Sequence, residues 1–227
     1  MIRFSRWMSC AFALGYSWMA VEGSLYAGES SPGQGFASPQ AAYEAMDRAM
    51  KTKDWRGAFR CITPGSQEAA VWANYQDWIF VEENAEVRAL LNKYGVGIDV
   101  VLKQYGEEKE RTIQTGKASV STNRDPKISS DHEPLDFELW RKIVLRRLSD
   151  KAGFFSDTRD LTLKRGGEFP QFGPLYDIRV AGDAATGLTT MTTSFEKSDE
   201  TGIKKVYTTD VKTHHFRRLN GRWFVGD

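Results

Sequence analysis

"PLYDIRVAGDAATGLTTMTTSFEKSDETGIKKVYTTDVKTHHFRRLNGRWFVGD", residues 174–227, decides the fold class. It is rich in Thr, Val and aromatic residues, the side chains that suit a pleated, half-buried surface. Turn residues interrupt it at Gly182-Asp183, between Ser198-Asp199 and Gly202, and at Asn220-Gly221, so it reads as four antiparallel strands in a meander. Asn220-Gly221 is a strong signal, because a two-residue type I′ hairpin needs positive φ at both central positions. That turn pairs Leu219 with Arg222, Arg218 with Trp223, Arg217 with Phe224, Phe216 with Val225 and His215 with Gly226. Opposed residues share a face, and faces alternate along a strand. Phe216, Trp223, Val225 and His214 therefore share the more apolar, inward face, while Arg217, Phe224 and His215 take the other. The strand over 203–219 is about 17 residues long against a common 5–6, which predicts a bend or bulge within it.

Upstream the period changes. Ser38 is an N-cap and Pro39 a first helical residue, ahead of a stripe of Ala42, Met46 and Ala49 with Tyr43 beside it. A turn and a short helix carrying Trp55, Phe59 and Ile62 follow, with Pro64-Gly65 as a stop. Apolar residues at Val71, Trp72, Tyr75, Trp78, Ile79, Val87, Leu90, Leu91 and Tyr94 recur at spacings of three and four, giving one long helix or two stacked ones. A further short helix ends at Gly106. Residues 107–134 are polar and charged, a long loop expected to be either disordered or functional, the latter by ordering on a partner. Helix returns with Leu139, Trp140, Ile143, Val144 and Leu148 as its buried stripe. Helices first and strands afterwards give an α+β class, with N-terminal helices packed on a curved antiparallel sheet and an enlarged helical middle region.

At the start, Arg3 and Arg6 precede an apolar run over residues 7–20 and then small residues, the layout of a signal peptide over 1–27. The run is short of the roughly 20 residues of a membrane span, so an exported, periplasmic or extracellular protein with no stable span after cleavage is expected. Residues 28–36 read as a flexible linker and 37–227 as one domain. The sequence holds 31 basic and 30 acidic residues, and loss of Arg3, Arg6 and Glu22 leaves 29 of each. A generally basic nucleic-acid-binding surface is not expected from that balance. Cys61 alone survives cleavage, which precludes an intramolecular disulfide.

The segments "ASPQAAYEAMDRAMKTKDWRGAFRCITP" (37–64), "LYDIRVAGDAATG" (175–187) and "HHFRRLNGRWFVGD" (214–227) together resemble secreted bacterial members of the nuclear-transport-factor-two-like superfamily, also grouped as SnoaL-like or cystatin-like. This is the cone-shaped α+β fold shared with ketosteroid isomerase, scytalone dehydratase and polyketide cyclases. The resemblance covers the helical start and the sheet, not the stretch from about 70 to 160. It implies a pocket between concave sheet and helices, used for several chemistries or for none, and a sheet face that often supports a homodimer. The matching motifs mark shape and bring no catalytic residue with them, so fold alone assigns no activity.

Two function classes stay open. One is a non-catalytic exported domain that binds a small ligand in its pocket, lined by Trp72, Tyr75, Phe216 and Trp223, or a protein partner through its sheet. The other is an acid–base enzyme of the isomerase, dehydratase or cyclase type, with His214, Asp210 or Asp177 as base and Tyr176 or Tyr207 as polariser. His214 and Asp210 share a face but are separated by about 13 Å of strand, too far for a hydrogen-bonded dyad. No cofactor motif, phosphate loop or metal spacing is present; His132 between Asp131 and Glu133 lacks a second ligand cluster.

Overall fold

The computed structural model describes residues 35–81, 83–119, 136–199 and 202–226. The expected signal peptide, most of the linker, the His132 triplet and residues 120–134 of the polar segment lie outside them. The described residues divide into two compact units, one made of those up to Gln67 and from Thr158 onward, the other of those between Glu68 and Asp157.

The first unit is α+β. Helix α1 (Pro39–Lys51) starts where the cap residues place it: the Ser38 hydroxyl accepts the Ala41 N–H at 3.1 Å, and Ala42, Tyr43, Met46 and Ala49 are buried. Helix α2 (Trp55–Arg60) is capped by Asp54, whose carboxylate accepts the Gly57 N–H at 2.8 Å. Pro64-Gly65 does not stop this segment but opens α3 (Pro64–Ile79). Thr63 accepts the Ser66 N–H on its hydroxyl and the Gln67 N–H on its carbonyl, so Pro64 occupies a first-turn position where a missing N–H costs nothing.

The meander is present as read, with β2 (Tyr176–Ala181), β3 (Ala184–Asp199), β4 (Gly202–Leu219) and β5 (Arg222–Val225), preceded by a two-residue β1 (Gln171–Phe172). Strand order is β1-β3-β4-β5, with β2 also on β3. The β4–β5 register is the one Asn220-Gly221 dictates, from Leu219↔Arg222 to Phe216↔Val225, and both turn residues have positive φ, 51° and 77°. The β3–β4 ladder runs unbroken from Ala184↔Arg217 to Asp199↔Gly202, so the bulge expected in the long strand is absent. Residues 204–213 are exposed apart from the half-buried Val206. The irregularity lies in β2, between Tyr176 and Arg179, where Asp177 has φ 47°.

Parity along β3 and β4 separates two faces. Ala185, Gly187, Thr189 and Phe216 are buried on the inner face, while His215, Arg217, Thr213 and Val211 of the other face are exposed. Phe224 takes the face of Arg217, as expected, yet is only 6% exposed. Gly35 lies against its ring so closely that a Cβ there would stand 2.7 Å from it. Phe36 exchanges backbone bonds with Trp223 (3.0 and 2.8 Å), and Val225 bonds Cys61 and Thr63 in the same way (both 2.9 Å). The outer edge of β5 is thereby covered, as a sheet edge near a core requires.

The second unit is helical. Helices α4 (Ala85–Lys93), α5 (Ile98–Ser119) and α6 (Phe137–Arg147) lie within it, and α3 and α7 (Lys151–Lys164) each contribute part of their length. Residues 66–94 thus form two helices, one ending at Ile79 and the next capped by Asn84. Val87, Leu91, Val96, Val101, Ile143, Val144 and Phe154 are fully buried. Helix α5 passes through Gly106 and takes residues 107–119 of the expected polar loop into helix. Gly106 has open space around it, so its only cost there is the backbone entropy of about 1 kcal/mol, which the rest of a long helix offsets. No element was expected over Lys151–Lys164; Asp150 caps it through the Gly153 N–H at 2.7 Å.

Candidate functional site

His214 lies on β4 opposite Gly187, on the inner face. Gly187 has no side chain, and the side chain of Leu175 fills its place: a Cβ there would meet Leu175 Cδ1 at 2.8 Å. Two rings flank the imidazole edge-to-face, Tyr43 of α1 at 5.1 Å and Phe172 of β1 at 5.4 Å. His214 Nε2 is buried and has no hydrogen-bond partner among the described residues. Burial is the main reason its pKa falls to about 4, with His215 adding a smaller like-charge contribution. At neutral pH this is an uncharged imidazole. His215 points to the other face and is exposed, and its carbonyl accepts the Gly226 N–H at 2.7 Å.

The hydroxyls nearest His214 are already used. Tyr43 donates to the Gly173 carbonyl at 2.6 Å and lies 3.0 Å from Thr189 Oγ1, which in turn donates to Gly173 at 2.8 Å. Burial raises the Tyr43 pKa further, ahead of a lowering by the Thr189 bond and a small rise from Asp47. This trio ties α1, the residue after β1, and β3 to one another. Tyr43, Phe172 and Thr189 were not among the sequence candidates. Tyr43 was legible only as a member of the α1 stripe, and nothing singles out Thr189 within a run of threonines.

The remaining candidates separate. Asp210 follows the expected parity with His214 but is exposed, opposite Met191. Asp177 is exposed and pairs with Arg179 through two bonds, 2.8 and 3.2 Å. Tyr176, opposite Leu188, and Tyr207, opposite Ser194, belong to the outer face and are 44% and 64% exposed. A base on the inner face and polarisers on the outer face cannot converge on one substrate atom. Of the expected pocket lining, Phe216 and Trp223 are core residues of the first unit. Trp72 and Tyr75 belong to the second unit, stacked on each other at 5.7 Å.

Cys61 is buried, and its thiol donates to the Gly57 carbonyl at 3.2 Å. Burial, and secondarily Asp54, push its pKa up to about 11. A thiolate is the reactive form, so a disulfide reagent at pH 8 should label native protein roughly a hundredfold more slowly than urea-unfolded protein. Equal rates in the absorbance trace would refute the buried placement. Among the described residues no group of three or more His, Cys, Asp or Glu could hold a metal ion, and no helix is long and apolar enough to cross a membrane.

Comparison of the chain with protein-family models, with curated proteins and with solved structures gives no match.

Proposed function

We propose that this chain is an exported, non-catalytic binding domain of nuclear-transport-factor-two-like architecture, which takes a small uncharged ligand against the inner face of its sheet at His214. One observation carries the reading: a neutral imidazole presents a buried nitrogen with no partner among the described residues. A buried polar atom left unmade costs about 1–3 kcal/mol, and a ligand hydrogen bond would recover it. The flanking Tyr43 and Phe172 rings offer apolar edges to the rest of such a molecule. The non-catalytic part follows from the commitment of Tyr43 and Thr189 to Gly173, and from carboxylates that lie in solvent. Export rests on the arginines and apolar run of the first 27 residues.

Native mass spectrometry on protein purified without denaturation tests the reading. The expected spectrum shows a bound mass that organic solvent releases and that His214→Phe lacks, while the thermal melt of that variant stays as sharp as the wild type's. A wild type without added mass, or a variant that keeps it, counts against the proposal.

A further inference from the structure

The outer face of the sheet, on the side away from His214, carries an uncharged run. Tyr176 of β2 lies in register with Leu188 of β3 and, across it, with Thr213 of β4, while Tyr207 of β4 lies in register with Ser194. Between these two rows the alternation of faces places Thr190 beside Val211 and Thr192 beside Thr209. No acidic or basic side chain of β3 or β4 stands on this face from one tyrosine row to the other. The charges that border it are matched within the chain. Asp177 bonds Arg179 at 2.8 Å past Tyr176, and Glu168 holds Lys205 past Tyr207, with the Lys205 ammonium 5.7 Å from the Tyr207 ring centre. Arg217 and Arg222 lie farther off, beyond the row of His215. Tyr207 is 64%, Val211 60% and Tyr176 44% exposed.

Side chains of this size left open on one face mark an interaction surface, and its composition selects the partner. With no free charge between the tyrosines, the run gives no purchase to a nucleic acid or an anionic membrane, which would be drawn to Arg217 and Arg222 instead. An apolar protein surface would bury the threonine hydroxyls without partners. The Thr192 and Thr209 hydroxyls bond each other at 3.1 Å, and since a hydroxyl has one donor and two acceptor sites, the pair keeps capacity for a third group. Reach decides the size of the partner. The tyrosine rows stand about 20 Å apart along the sheet, and Tyr176 and Tyr207 are separated by two strand spacings of about 5 Å each, so only a polymer meets both rings. A polysaccharide with extended β-linkages satisfies each demand. Its sugar rings bear apolar C–H faces that stack on tyrosine, and its hydroxyls both donate and accept.

We propose that the outer sheet face between Tyr176 and Tyr207 binds an uncharged, extended β-linked polysaccharide. The inference is independent of the ligand reading, since His214 lies on the opposite face. Purified full chain should sediment with insoluble cellulose or chitin and be released by the soluble oligosaccharide of the same linkage. Retention should persist at about 1 M salt, where charge attraction is screened within about 3 Å. Tyr176→Ala and Tyr207→Ala should each weaken retention by at least about tenfold with unchanged circular dichroism spectra, because both rings are exposed. Lys212→Ala, exposed on the other face, should bind as the wild type does. A wild type retained on neither polysaccharide, retention that salt abolishes, or tyrosine variants that bind undiminished overturns the proposal. So does a dimer in sedimentation equilibrium that Tyr207→Ala dissociates, since a second copy would then cover the face.

Discussion

Phe216→Ala is expected to lower stability by about 3–5 kcal/mol in urea denaturation, which is much of what a domain of this size possesses. The ring is 1% exposed and lies in register with Ala185 on one side and Val225 on the other. Ala185 is too small to fill the void, and Val225 is held in place by its bonds to Cys61 and Thr63. The neighbourhood cannot collapse, so the cavity term adds to the lost transfer term. Thr213→Ala, three residues earlier and of opposite parity, is exposed and should cost less than about 1 kcal/mol. Equal losses at the two positions would mean that β4 does not present the faces described here.

The second large effect depends on pH. His214 has a folded pKa of about 4 against a usual value of about 6.5, so between these values the unfolded chain binds a proton that the folded chain does not. Stability then rises with pH across that window and falls on acidification. From pH 7 to pH 4.5 the penalty from this residue amounts to about 2–3 kcal/mol, and below the folded pKa it levels off. His214→Phe keeps an aromatic ring between Tyr43 and Phe172 and removes the proton site. Its stability relative to wild type should therefore increase by that amount on going from pH 7 to pH 4.5, with carboxylate titrations common to both proteins cancelling. A difference that does not change with pH would show that the imidazole is solvated or paired in the folded protein.

Both expectations draw on a hairpin that was readable residue by residue. Asn220-Gly221 set the β4–β5 register because so few turns tolerate two positive φ values, and the register set the parity that separates His214 from His215. The start of α1 was equally legible, since Ser38 and Pro39 act on neighbours within one turn. Pro64-Gly65 and Gly106 were misread for a common reason. Proline and glycine report a local backbone allowance, and the same allowance serves a helix start, a helix interior or a stop according to what packs around it. Helix α7 was missed because Thr158 and Thr162 share the buried face with Phe154, Phe155 and Leu161, which breaks the apolar stripe that marks an amphipathic helix.

The candidate site was legible only in part, and the division follows sequence distance. His214 was placed inward by a turn six residues away. Its neighbours come from far along the chain: Tyr43 and Thr189, whose hydroxyls meet, are 146 residues apart. No local rule brings such residues together, and no spacing announces that a tyrosine will be consumed by the carbonyl of Gly173 rather than offered to a substrate.

Local chemistry in the sequence, acting through caps, turns and alternation, determined that this chain is α+β, that a four-strand meander closes it, and which histidine turns inward. Tertiary structure alone decided that Phe224 would be covered by Gly35, that Asp210 would stay in solvent, and that the His214 imidazole would be desolvated and left with one nitrogen unbonded. Those outcomes depend on which distant surfaces exclude water from a side chain, and burial of that kind is a property of the packed whole.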